Sequence, residues 1–169
     1  QRAAFYDTNN SAFLNGITFI MCHYFSASGH KFLVCTMHTA TLDQYDDGWA
    51  ALDQAIAWCA AEDLYVIIDL HTTPSPPNNS ATVGDYQFPE PLLFDAGGKV
   101  DETVALWRRI AERYHDETRV LAYDLVNEPA TEQALFPVIG LQEVYRRITA
   151  AIRAVDPHHL LIYEGDEFA

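Results

Sequence analysis

The apolar residues of this chain form short, nearly continuous runs that alternate with segments of helical periodicity. The runs are six or seven residues long and rich in β-branched and aromatic side chains, which is typical of strands buried on both faces of a sheet. The clearest of them is LYVIIDL. The pattern predicts four strands, over residues 16–21, 64–70, 120–126 and 159–164.

Three amphipathic helices are predicted between these strands. In each, apolar residues recur every three or four positions and so share one face. Acidic residues before the first two helices can serve as N-caps, and Pro157 ends the third. The apolar faces consist of Trp49, Leu52, Ile56 and Cys59; of Val104, Trp107, Ile110, Ala111 and Tyr114; and of Leu141, Val144, Tyr145, Ile148, Ile152 and Val155.

Strict alternation of strand and helix predicts an α/β fold with a parallel sheet and right-handed crossovers. No internal repeat, low-complexity tract or linker interrupts the pattern. We therefore expect a single domain over residues 1–169.

The charge of the chain restricts its partners. Ten basic residues against 24 acidic ones give a formal net charge of −14, which repels nucleic acid and anionic membranes, so we expect neither as a partner. No segment approaches the ~18 uninterrupted apolar residues of a membrane span, and the N-terminus lacks the pattern of a signal peptide. We expect a soluble mature chain, and secretion stays open because leaders are removed on maturation.

Polar motifs stand at the ends of three predicted strands. One strand ends in DLH (residues 69–71), the next in YDLVNEP (residues 123–129) after a WRRIAERY helix, and the last in IYEGD (residues 162–166). In this order the motifs resemble the central part of glycoside hydrolase family 5, the cellulase and mannanase family. The resemblance covers residues 45–169, about three quarters of the chain.

The resemblance implies a partial, half TIM-type (β/α) barrel whose four parallel strands correspond to strands two to five of the family. A whole barrel needs ~250 residues, so we expect a truncated piece. An open half-barrel leaves two strand edges unpaired and an apolar inner face uncovered. We therefore expect self-association into a homo-oligomer that completes the barrel.

The resemblance also implies a carbohydrate site. Glu128 matches the general acid/base of the family, Asn127 the residue that hydrogen-bonds the sugar 2-hydroxyl, and His71 a histidine near the bound sugar. Retaining glycosidases need a carboxyl group that protonates the leaving oxygen and a nucleophilic carboxylate ~5–5.5 Å away. The nucleophile of the family follows its seventh strand, outside the four strands predicted here, which puts activity in question.

Two structural interpretations compete with these roles. Glu128 could instead cap the helix that follows Pro129. Glu164, Asp166 and Glu167 are predicted to be solvated residues of the last strand end rather than substitutes for the nucleophile.

Residues 21–41 have an unusual composition. They hold both methionines, two of the three cysteines and three of the seven histidines, but no acidic residue and no proline. One interpretation is a shifted reading frame, because Met21 stands where the family usually carries an arginine. The other is a zinc site formed by Cys22, His23, Cys35 and His38, the thiolates and imidazoles that tetrahedral Zn²⁺ prefers. His30 could replace one of them, and the two interpretations are compatible.

Three functions follow in order of preference. The first is a glycoside hydrolase that acts in endo fashion on β-linked polysaccharide, such as cellulose, glucan or mannan, with no cofactor required. The second is a zinc-dependent hydrolase of esters or similar bonds that uses the Cys/His site. The third is an inactive half-barrel that self-associates. The absence of a Gly-x-Ser-x-Gly motif argues against a serine esterase.

Overall fold

The computed structural model describes residues 20–27, 30–38, 46–78 and 92–168, with side chains described from Trp49 onward apart from those of Ala51, Thr72 and Phe168. These ranges hold two short 3-10 turns, Thr131–Gln133 and Asp166–Phe168, besides the strands and helices. The helices are α1 Asp46–Ala61, α2 Val100–Tyr114 and α3 Leu141–Arg153. The strands are β1 Ile20–Ala27, β2 His30–His38, β3 Tyr65–Thr72, β4 Val120–Asp124 and β5 Leu160–Ile162.

The five strands form one sheet in the order of the chain, β1-β2-β3-β4-β5. From β2 to β5 every neighbouring pair is parallel, and helices α1, α2 and α3 connect these strands in turn. The predicted α/β fold with a parallel sheet and alternating helices is confirmed.

The first part of the sheet differs from the prediction. The predicted strand over residues 16–21 overlaps β1 only at Ile20 and Met21, and its other residues lie outside the described part. The neighbour of β3 is β2, which the strand prediction missed, and β1 pairs antiparallel with β2. The sequence signal for this hairpin is Ser28-Gly29, a turn-forming dipeptide between two apolar runs. The cysteines and histidines in these runs obscure the strand pattern.

The predicted helix faces form the core. Cys59 of α1, Trp107 and Ile110 of α2, and Ile148 of α3 are fully buried. Complete burial of each large apolar side chain contributes ~1.5–3 kcal/mol. The indole Nε1 of Trp107 also donates to the carbonyl oxygen of Leu125 at 2.9 Å. This contact links α2 to the segment just beyond β4, where the candidate site begins.

Gly98 packs against backbone that an added side chain would strike. A Cβ atom there would lie 2.4 Å from the carbonyl oxygen of Leu93 and 2.6 Å from that of Leu92. Because backbone cannot move aside as a flexible side chain can, we expect Gly98→Ala to lower the free energy of unfolding by roughly 1–3 kcal/mol. Gly140→Ala is the matched control, because nothing lies within 4 Å of its added Cβ. Since Gly140 is the N-cap of α3, where alanine is disfavoured, this control should cost no more than about 1 kcal/mol. Equal losses in urea unfolding would contradict this account.

Candidate active site

Three strands deliver polar side chains to one edge of the sheet. The carboxyl ends of parallel strands meet at the same edge, which is where such folds place their binding sites. β3 supplies Asp69 and His71, the segment after β4 supplies Asn127 and Glu128, and the segment after β5 supplies Glu164. The structure therefore brings the three predicted site residues to one edge.

Glu128 is half-buried, and its backbone conformation is unusual. Its φ is 46°, a left-handed value that costs a non-glycine residue of order 1–3 kcal/mol and that clusters at functional sites. Its N–H donates to Oε2 of Glu164 at 2.7 Å, and its carbonyl oxygen accepts from Nδ2 of Asn78 at 2.7 Å. Side chains from two other segments thus hold both backbone polar groups of Glu128.

Glu128 is not the N-cap of either following helix. The N-cap of the Thr131–Gln133 turn is Ala130, and that of α3 is Gly140. The alternative that Glu128 serves as a helix cap therefore has no support among the described residues.

His71 is tied to an acidic neighbour. Its Nδ1 lies 3.1 Å from Oδ2 of Asp69. The hydrogen bond to Asp69 raises the pKa of His71 above its usual value, and the negative charges of Asp69, Glu128 and Glu164 add to the shift, although burial opposes it. The imidazole therefore holds its proton to higher pH than a free histidine, and the resulting cation offsets part of the acidic charge.

Asn127 offers a hydrogen-bond donor inside the site. The residue is only 9% exposed, and its Nδ2 has no hydrogen-bond partner within the described ranges. Buried polar groups in folded proteins nearly always have a partner, and an exception needs an explanation. A bound sugar hydroxyl would provide that partner, in keeping with the role that the resemblance implies.

Asp124 and Glu164 are two interacting carboxyl groups next to Glu128. Burial raises the pKa of Asp124 to about 8, and the charges of Asp69 and Glu164 and a hydrogen bond with the Glu164 carboxylate contribute. Burial also raises the pKa of Glu164, with the charges of Asp69 and Glu128 acting in the same direction. Two neighbouring carboxyl groups resist simultaneous ionisation, so the pair holds one proton up to about pH 8.

The pair should make stability depend on pH. Because the pKa of Asp124 in the fold lies above its unfolded value, its contribution to stability is complete below pH ~4 and is lost as pH rises through about 8. Asp124→Asn keeps a donor toward Glu164 and removes the buried charge. We expect its free energy of unfolding, relative to wild type, to rise by on the order of 3 kcal/mol between pH 5 and pH 9. Parallel stability curves for the two proteins across that range would contradict this.

The strand end that carries Glu164 is less solvated than predicted. Glu164 and Asp166 are half-buried, and only Glu167 is exposed. Oδ1 of Asp166 accepts from the N–H of Thr131 at 2.8 Å, which ties the segment after β5 to the segment after β4. Glu164 and Asp166 are therefore only partly solvated, because contacts with the segment after β4 cover part of each side chain.

The predicted zinc ligands lie on β1 and β2. Cys22 and Cys35 are direct partners in the antiparallel register, whereas His23 pairs with Val34 and His38 lies at the far end of β2. The side chains of all four fall outside the described part. In the part whose side chains are described, no group of three or more His, Cys, Asp or Glu residues is arranged to hold a metal ion. The zinc site stays a prediction.

Among the described residues, no helix combines the length and the apolar character needed to cross a bilayer.

Fold and site together define a class of protein: a (β/α) barrel sheet that gathers carboxyl groups, an amide and a histidine at the carboxyl ends of its strands. The chain belongs to glycosyl hydrolase family 5, because the cellulase model of that family matches residues 14–169. The family predicted from the DLH and NEP motifs is confirmed.

Individual relatives agree with this assignment. The chain is 35% identical over 127 residues to a beta-xylosidase of Phanerodontia chrysosporium and 34% identical over 120 residues to a probable glucan 1,3-beta-glucosidase A of Aspergillus fumigatus. The matches cover 73% and 68% of this chain but 25% and 27% of those proteins. The chain thus spans about a quarter of the length of these relatives.

Solved structures show the same fold. The β-glucanase SdGluc5_26A of Saccharophagus degradans, in complex with cellotetraose, matches with a TM-score of 0.59 and 22% identity over 82% of this chain and 40% of that one. Endoglucanase Cel5A of Pseudomonas stutzeri matches with a TM-score of 0.55 over 73% of this chain and 34% of its own. The partial (β/α) barrel is confirmed.

Proposed function

We propose that this protein is a glycoside hydrolase that cleaves β-linked polysaccharide, with Glu128 as its general acid/base. The observation that carries the proposal is the placement of Glu128, half-buried at the carboxyl edge of the sheet within a cluster of acidic groups. A carboxyl group at this edge, partly shielded from solvent, is placed where a general acid would meet the leaving oxygen.

The neighbouring residues suit a sugar ligand. The unpartnered Nδ2 of Asn127 would donate to a ring hydroxyl, and the imidazole of His71 would contact the same sugar. Hydrogen bonds to the sugar 2-hydroxyl that strengthen in the transition state supply several kcal/mol in such reactions. In the family the attacking carboxylate follows the seventh barrel strand, as the resemblance implies, so the activity tested below is that of a protein that contains this chain together with such a strand. No cofactor takes part in the chemistry.

The relatives support a β-linked substrate. The two relatives described above are named as a xylosidase and a glucan 1,3-glucosidase, and the β-glucanase with the same fold was solved with cellotetraose. We propose β-glucan as the substrate class, cleaved internally. Because such polymers lie outside cells, we also propose that the protein is secreted.

A substrate panel tests this function. The protein would be incubated with carboxymethylcellulose, a β-1,3-glucan and a β-mannan, and released reducing ends and product lengths would be measured. We expect release from at least one β-glucan and mixed oligosaccharide products typical of endo cleavage. Wild-type rates that match those of Glu128→Gln on all three polymers would overturn the proposal.

Self-association is a further part of the proposal. β5 pairs only with β4 among the described strands, and Leu160 on β5 and Tyr163 just after it are 58% and 50% exposed. An unpaired edge with exposed apolar side chains is a site for strand pairing with another chain. Sedimentation equilibrium at micromolar concentration should show a homo-oligomer, and a monomer would exclude this arrangement.

The zinc-dependent alternative has one observation in its favour, the register that sets Cys22 opposite Cys35. If the second proposed function were correct, purified protein would contain stoichiometric zinc, and a chelator would abolish ester hydrolysis. Metal-free protein that retains glycosidase activity would exclude it.

A further inference from the structure

The strained backbone of Glu128 requires an external support. A left-handed φ in a glutamate persists only where the surroundings impose it. Two hydrogen bonds do so here, one on each side of the residue. The bond from Asn78 is made by a neutral amide, whereas the bond to Glu164 is made to a carboxylate whose charge depends on pH.

The side chain of Glu164 is itself held from several directions. Its carboxylate interacts electrostatically with Asp124, Asp69 and Glu128. Its backbone carbonyl oxygen accepts from the hydroxyl of Tyr145 on α3 at 2.9 Å. The facing titratable groups are therefore Asp69 and His71 on β3, Asp124 on β4, Glu128 beyond β4 and Tyr145 on α3.

We propose that Glu164 is a positioning residue for Glu128, and that the one proton shared by Asp124 and Glu164 keeps it in place. With that proton present, Asp124 donates to Glu164, and Glu164 in turn accepts from the N–H of Glu128. When the proton is lost, Glu164 faces the new negative charge of Asp124 in addition to that of Asp69. The repulsion moves the Glu164 carboxylate away from the N–H of Glu128. The acid/base residue then loses its fixed orientation.

This role goes beyond the acid/base assignment and rests on the proposed function only through its kinetic readout. Glu164 touches no reacting atom in the proposed mechanism. Misplacement of a reacting group by about 1 Å costs on the order of 100-fold in rate, so support for the backbone of Glu128 has catalytic consequences.

The direct test is the amide proton of Glu128 in the ¹⁵N-labelled full chain. An N–H that donates to a carboxylate at 2.7 Å resonates far downfield. In wild type we expect a downfield signal at pH 6 that moves upfield in one step as pH rises through about 8. This measurement needs no substitution, so it does not depend on whether a variant folds.

Three variants complete the test. Glu164→Ala should move the Glu128 amide signal upfield at pH 6 and remove the step, and should lower kcat by about 10- to 100-fold with KM changed less than about twofold. Glu164→Gln retains a neutral acceptor and should restore most of kcat. Glu167→Gln, on an exposed neighbour, should leave both the signal and the step as in wild type.

The outcomes separate the two proposals. A wild-type Glu128 amide that shows no step between pH 6 and pH 9, or that is unchanged in Glu164→Ala, overturns the positioning role whatever the activity. An amide that behaves as expected while Glu128→Gln hydrolyses glucan normally supports the positioning role and overturns the proposed function instead.

Discussion

Glu128→Gln should lower the rate of β-glucan hydrolysis by about 10²–10⁴-fold, because the amide cannot protonate the leaving sugar oxygen. The loss should depend on the leaving group. An aryl β-glycoside with a strongly acidic phenol departs as the phenolate without a proton, so its bond cleavage should be nearly as fast as in wild type. The measurement is the pre-steady-state release of phenol from a dinitrophenyl and a phenyl glycoside.

Glu132→Gln is the matched control for this experiment. It makes the same chemical change on an exposed side chain four residues away, and all its rates should remain within about twofold of wild type. If Glu128→Gln slowed both aryl glycosides equally, the residue would not act as the proton donor. A role in folding or sugar binding would then explain the loss.

Asp156→Ala should destabilise the fold by about 3 kcal/mol or more, because it leaves several buried donors without an acceptor. Asp156 is fully buried. Its Oδ2 accepts from the hydroxyl of Tyr123 at 2.8 Å and lies 2.6 Å from Nδ1 of His159. Its Oδ1 accepts from the backbone N–H groups of His158 and His159 at 2.9 and 3.1 Å. Chemical denaturation at pH 7 measures the loss.

The loss of stability caused by Asp156→Ala should become smaller at low pH. Burial opposes ionisation, but the hydrogen bonds from His158, His159 and Tyr123 outweigh it and lower the pKa of Asp156. A carboxylate with a lowered pKa contributes stability above its unfolded value of ~3.9, and that contribution disappears as pH falls through the folded value. The difference between wild type and Asp156→Ala should therefore be full at pH 6 and shrink below pH ~4.

Two variants calibrate the Asp156 result. Tyr123→Phe removes one donor and leaves the carboxylate with its other partners, so we expect a loss of about 1 kcal/mol. Asp116→Ala changes an aspartate whose side chain is 90% exposed and should stay within about 0.5 kcal/mol. Equal effects of Asp156→Ala and Asp116→Ala would show that the buried network contributes no net stability.

The helices and three of the strands could be predicted because their patterns are local. A helix that buries one face repeats its apolar residues every three or four positions, and Trp107 and Ile148 were found buried on the faces so predicted. The hairpin of β1 and β2 was missed, because its strands mix cysteine, histidine and apolar residues and neither alternates cleanly. That part of the sheet is defined by the pairing between the two strands rather than by a residue pattern within either strand.

Glu128, Asn127 and His71 were identified from motifs, since each directly follows or ends a strand in a recognisable order. The residues that hold the backbone of Glu128 could not be identified from motifs. Asn78 is 50 residues from Glu128 in the chain and Glu164 is 36 residues away, and no local pattern links them. The structure also assigns Glu164 and Asp124 to the site. From the sequence, Glu164 was predicted to be a solvated residue of a strand end, and Asp124 was not predicted to be a site residue. An aspartate inside the predicted apolar strand over residues 120–126 was the available signal for Asp124.

What the amino-acid order alone established is which residues form each helix face, where β3, β4 and β5 run, and that a carboxyl group and an amide follow β4. These properties depend on neighbours three or four positions apart or on a contiguous motif. Only the folded chain decided which carboxyl groups face one another and which of them shares a proton. Those outcomes depend on distances of a few ångströms and on burial, because the energy of a charge is set by the groups and solvent around it rather than by its place in the chain.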